Sequence, residues 1–143
     1  MNIVDASGWI EYFIDGPDAA FVAQTLQETD RLLVPTLTIL EVFEHVCRGH
    51  GEGAALQAAA AMQQGRVIDL DTPSALEAGW IAVEHGVSAS AGALLAAARH
   101  HQATVWSLDE RLRHIAGVRY RAPTRPTRPD VAGSAARDDL GSR

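Results

Sequence analysis

At 143 residues, 47% hydrophobic and 21% charged, the chain has the size and makeup of one globular domain with room for a core. A formal net charge of -6, with no lysine, excludes nucleic-acid binding by bulk positive charge, because duplex affinity rests on a cationic footprint. One cysteine, Cys47, excludes an internal disulfide, and no stretch approaches the roughly 20 apolar residues of a membrane helix.

Residues 1–122 carry 15 Asp plus Glu against 8 Arg, whereas 123–143 carry 3 Asp against 4 Arg. An acidic domain can still cut nucleic acid if metal ions bring phosphates to its carboxylates. Cys47 sits among Val42, Phe43 and Val46, which predicts a buried thiol in a reducing compartment. With no signal pattern at the N-terminus, the expected location is the cytoplasm.

Ile3-Val4 predicts a short buried strand that ends at Asp5, and Ala6-Ser7-Gly8 leads into a helical pattern carrying Trp9, Ile10, Tyr12 and Phe13. Asp5 is then either a helix cap or a group at the carboxyl end of a strand, where open α/β sheets bind ligands. Asp15-Gly16-Pro17-Asp18 predicts a turn, and 19–28 a helix with Phe21, Val22 and Leu26 inward. Leu32-Leu33-Val34 predicts a second strand stopped by Pro35, and 36–50 the most apolar helix. Gly49, Gly51 and Gly53 are expected to break that helix before an alanine-rich one over 54–64. A third strand follows at 67–70, and Asp71-Thr72-Pro73-Ser74 starts a helix through Leu76, Trp80, Ile81 and Val83 to Gly86.

A small-residue helix over 91–101, a strand at 104–107, a short helix from Asp109 and a last strand at 118–120 complete the pattern. The alternation predicts an α/β fold with a central parallel sheet of four to five strands surrounded by helices. Residues 123–143 repeat Pro, Thr and Arg with almost nothing to bury, and so predict a disordered tail beside a 1–122 domain.

Two further carboxylates occupy costly places. Glu41 is flanked by Ile39, Leu40, Val42 and Phe43, and an ionised carboxylate facing an apolar interior costs several kcal/mol unless paired or bound to a cation. The alternative is a helix-rim position with its head in water. Asp109 repeats the arrangement of Asp5, following Val105-Trp106. If the two strands are neighbours, both acids share one sheet edge, and the helix after strand two can bring Glu41 to it. Such a cluster, with no cationic neighbour evident in sequence, suggests a hard divalent ion, Mg²⁺ or Mn²⁺. The histidine pairs lack zinc spacing, Cys47 lacks a nucleophile's partner, and no glycine-rich phosphate loop occurs.

Val4-Asp5-Ala6-Ser7-Gly8-Trp9-Ile10-Glu11-Tyr12-Phe13, Leu37-Thr38-Ile39-Leu40-Glu41-Val42 and Ala103-Thr104-Val105-Trp106-Ser107-Leu108-Asp109 together resemble the PIN-domain proteins, most nearly the VapC-type toxins of bacterial toxin-antitoxin pairs. The resemblance covers about residues 1–122. It implies a metal-dependent endoribonuclease in which Asp5 is the principal Mg²⁺ or Mn²⁺ ligand, Glu41 and Asp109 complete the acids, and Ser7 orients Asp5 or a metal-bound water. It also implies a cognate antitoxin, an RNA substrate and a homodimer, with Trp9, Tyr12, Phe13 and Phe43 as a possible antitoxin groove and Arg111, Arg113 and Arg121 as possible phosphate guides.

One departure stands out. Where the family reads Ala-Asp-Ala, this chain reads Ala91-Gly92-Ala93, and no Asp or Glu occurs between Glu84 and Asp109. The resemblance therefore places a missing acid at Gly92, a position for which the local sequence offers no other reason. Loss of a negative ligand implies weaker metal binding. The alternative is a non-catalytic module that binds antitoxin or RNA without cleaving.

Overall fold

The apolar residues of the central strands, Ile3, Val4, Leu32, Leu33, Val34 and Val105, are buried because helices cover both faces of the sheet they form, whereas Val67 at one edge stays exposed. The computed structural model describes residues 1–124. In chain order it contains β1 (Asn2–Val4), α1 (Ala6–Phe13), α2 (Ala19–Gln27), β2 (Leu32–Pro35), α3 (Thr36–His50), α4 (Glu52–Met62), β3 (Arg66–Ile68), α5 (Thr72–His85), α6 (Ala89–His101), β4 (Thr104–Ser107) and β5 (Val118–Tyr120). The five strands are parallel, in the order β3-β2-β1-β4-β5, at the upper end of the predicted strand number.

Successive strand residues point to opposite faces, and the core divides accordingly. Ile3, Leu33 and Val105 pack with Ala78, Ile81, Leu94 and Leu95 of the α5–α6 pair. Val4, Leu32 and Val34 pack on the other face with Trp9, Val22, Val42, Val46 and Met62 from α1 to α4.

Two expectations change. Gly49 and Gly53 lie inside helices, and Gly51 alone makes the break, with φ 86 at the junction of α3 and α4, a left-handed backbone that favours glycine. α5 turns Ala78 and Ile81 inward and leaves Leu76, Val83 and the 76% exposed Trp80 on the surface. Cys47 is half-buried rather than buried.

A feature without a sequence signature closes the domain. Asp18, almost wholly buried, accepts hydrogen bonds from the backbone N–H (2.7 Å) and hydroxyl (2.8 Å) of Thr124, with Arg121 3.6 Å away. This ties the chain after β5 to the α1–α2 turn. Among the described residues, no single helix is long and apolar enough to cross a membrane. The expected tail lies almost entirely outside the described residues.

Candidate active site

β1 and β4 are direct neighbours, with Val4 opposite Trp106, so Asp5 and Asp109 leave the sheet at the same edge. β2 flanks β1 on its other side, and α3 rises from its end to carry Glu41 over that edge. Asp5, Ser7, Glu41, Ser88, Ser90, Ala91, Leu94, Asp109 and Arg111 line one cleft of about 250 Å³. The three acids named from sequence therefore line one cleft.

Asp5 both caps a helix and lines the cleft. Its Oδ1 accepts the Gly8 N–H at 3.0 Å, capping α1, and a hydrogen bond from the Ser7 hydroxyl. Its Oδ2 accepts a short hydrogen bond from the Ser107 hydroxyl. The same Ser107 oxygen accepts the Asp109 N–H at 2.9 Å, and the Ser7 oxygen accepts the Leu108 N–H at 3.0 Å. Two hydroxyls thus lace the end of β1 to the end of β4. Burial pushes the Asp5 carboxyl above its ordinary range, and the Ser107, Ser7 and Gly8 hydrogen bonds offset this only in part. Half-buried Glu41 is pushed up by desolvation as well, moderated by the adjacent Ser90 hydroxyl.

Asp109 differs. Partial desolvation pushes it up, but the Arg111 guanidinium and backbone N–H outweigh this and hold its carboxyl low. Arg111 grips it with both arms, Nε to Oδ1 at 3.1 Å and Nη2 to Oδ2 at 3.0 Å, a bidentate geometry. The acid cluster therefore has a cationic neighbour, Arg111, which the sequence pattern does not reveal.

Sequence reasoning missed Ser107, which has no exposed surface. The available signal was a hydroxyl at the end of a buried strand, where a polar group needs a partner. Gly92 is not brought to the cleft. A Cβ there would collide with the Ala78 carbonyl oxygen and lie 3.1 Å from Ala82 Cβ. The absence of a side chain at Gly92 is what lets α6 approach α5, which is the local reason the sequence did not reveal. The α6 residues that face the cleft are Ser90, Ala91 and Leu94. Trp9 is core rather than groove, whereas Tyr12, Phe13 and Phe43 are half-buried.

A small hard cation suits these residues in kind, since Asp5 and Glu41 are carboxylates raised by burial, and among the described residues neither forms a direct ion pair, Arg111 acting on Glu41 only from a distance. Among the described residues no three His, Cys, Asp or Glu side chains converge on one metal position, in keeping with the engagement of Asp109 by Arg111.

The sequence profile of the PIN domain matches residues 3–118. The chain belongs to the PIN-domain family. PIN nucleases generally use divalent metal ions. This PIN domain is similar in structure to a toxin-antitoxin complex from Klebsiella pneumoniae, with 17% identity over 83% of this chain and 96% of that one, at a TM-score of 0.70. It is also similar to a sarcin-ricin loop cleaving toxin of Mycobacterium tuberculosis, 20% identical over 76% and 92% of the two chains, at a TM-score of 0.64. A DNA-bound VapBC from Salmonella typhimurium is 18% identical over 85% and 98%, at a TM-score of 0.66. No curated protein matches the sequence.

Proposed function

We propose that this PIN-domain protein is the toxin of a type II toxin-antitoxin pair, a cytoplasmic endoribonuclease that uses Mg²⁺ or Mn²⁺. The observation that carries this reading is the meeting of Asp5, Glu41 and Asp109 in one cleft at the carboxyl ends of adjacent parallel strands. Asp5 and Glu41 would hold the ion, with Asp109 as the third acid of the site. A bound ion supplies a more acidic water and a counter-charge for the phosphate. Ser7 and Ser107 fix the Asp5 carboxylate through their hydrogen bonds, and Glu41, which lines the same cleft, would bind or position the attacking water.

The site is incomplete on one side. The α6 wall supplies Ser90, Ala91 and Leu94 but no carboxylate, so weaker metal binding than in a four-acid site is expected. The cleft-facing position for such an acid is Ala91. The same gap supports the second reading, a module that binds antitoxin or RNA without cutting. A fluorogenic RNA assay with Mg²⁺ or Mn²⁺, and with chelator, separates the two. Metal-dependent cleavage that disappears in Asp5→Asn supports the ribonuclease, whereas equal signal in both chains rejects it.

Partners follow from the same reading. The solved structures of similar fold include toxin-antitoxin complexes, and Phe13, Ile14, Val46, Ala54 and Ala58 line a groove of about 300 Å³ suited to an antitoxin's apolar residues. The exposed Leu76, Trp80 and Val83 on α5 offer a face for a second copy of the chain. Light scattering of the purified chain, with Trp80→Ser for comparison, tests that dimer.

A further inference from the structure

Arg111 lies in the acid cleft, bound bidentately to Asp109. Of the two strand-end acids it is the more exposed, whereas Asp5 is held beneath two serine hydroxyls. Three carboxylates and one guanidinium leave a net charge that a single divalent ion neutralises. Sites that clamp a phosphodiester between two divalent ions need carboxylates free to serve both, and here one carboxylate is committed to an arginine. Arg113 does not share this place, since it pairs with Glu110 at 3.0 Å and is not among the cleft residues.

The geometry points to a one-ion site: Asp5 and Glu41 hold the divalent cation, and Arg111, kept in place by Asp109, supplies the second positive charge that faces a phosphodiester. Asp109 is then a positioning residue for Arg111 rather than a metal ligand. This rests on the ribonuclease reading and assigns different tasks to two of its acids.

Calorimetric Mn²⁺ titration of the full chain tests it, with Glu41→Gln, Asp109→Asn, Arg111→Gln and Arg111→Lys, each checked for folding by circular dichroism. The unaltered chain should bind one ion. Glu41→Gln should weaken it by about 100-fold, and Asp109→Asn by less than about threefold, because a half-exposed ion pair couples weakly to its surroundings. Arg111→Gln should free Asp109 and admit a second ion. It should also weaken retention of a non-cleavable methylated RNA oligonucleotide by about tenfold, with Arg111→Lys restoring part of it. Two ions in the unaltered chain, or an Asp109→Asn loss as large as that of Glu41→Gln, overturns the one-ion site and leaves the ribonuclease reading standing. No Mn²⁺ binding by the unaltered chain overturns both.

Discussion

Asp5 and Asp109 end adjacent parallel strands of one sheet, yet the two strand ends are built in opposite ways. At the end of β1 the carboxylate is buried, raised by desolvation, and held by neutral donors from Gly8, Ser7 and Ser107. At the end of β4 it is held low by a guanidinium near the rim. An acid held by neutral hydroxyls keeps its charge available for a cation, whereas one clasped by arginine has much of it cancelled. Position in the topology brings an acid to the site, and the groups around it decide what it can do there.

The largest effect should fall on the buried end. Asp5→Asn should lower metal-dependent RNA cleavage by more than about 100-fold, since loss of a ligand exceeds loss of a group that merely supports one; single-turnover rates measure it. Ser107→Ala should weaken Mn²⁺ affinity by about 10- to 100-fold by releasing Asp5 Oδ2 and the Asp109 N–H together. A smaller loss would mean that Ser7 and Gly8 suffice to hold Asp5.

The α6 wall sharpens the contrast. Gly92→Asp should cost about 1–3 kcal/mol of stability through overpacking against α5 without gain in metal affinity. Ala91→Asp, which faces the cleft, should strengthen Mn²⁺ binding by about tenfold. Thermal melts and titration of the two variants separate them, and a gain in Gly92→Asp would overturn the assignment of faces on α6.

Acidity gives a further test. Because the folded pKa of Asp5 lies above its unfolded value, the native state binds the extra proton between the two, and stability falls as pH rises through that window. With chelator present, Asp5→Asn should therefore melt higher than the unaltered chain at neutral pH, by about 1.4 kcal/mol per unit of upshift. The gap should close below the ordinary carboxylate range, and saturating Mn²⁺ should reverse it. Asp18 has the opposite sign. Its pKa is lowered by the Thr124 backbone and hydroxyl donors, so its contribution is present above the unfolded pKa and lost as pH falls through the folded one. Asp18→Asn should lower the melting temperature slightly at pH 7 and have no effect in acid.

Much of this architecture was legible in the residues. Short apolar runs ending in Asp marked two adjacent strand ends, and Glu41 stood out because a carboxylate in an apolar helix demands a reason. What escaped was set by direction and distance. Ser107 looked like any strand serine until its register placed it beside Asp5. Arg111 stands in the sequence as one of three arginines that could guide phosphates, and only the turn that brings its guanidinium back onto Asp109 sets it apart. Gly92 read as a vacancy, since sequence shows which residue is absent but not where its side chain would point. The Asp18–Thr124 tie joins positions 106 apart, beyond any local pattern.

The central place of β1 has a consequence for how the protein comes into being. Asp5 is made 102 positions before Ser107, its partner across the sheet. Pairing of this kind is slow, because the intervening chain must be ordered before the contact forms. A nascent chain emerging from a ribosome therefore carries Asp5 as an isolated acid until β4 has been synthesised and docked. For the ribonuclease proposed above, the order of synthesis would delay the assembly of the acid cleft while the chain is still surrounded by the RNA that made it.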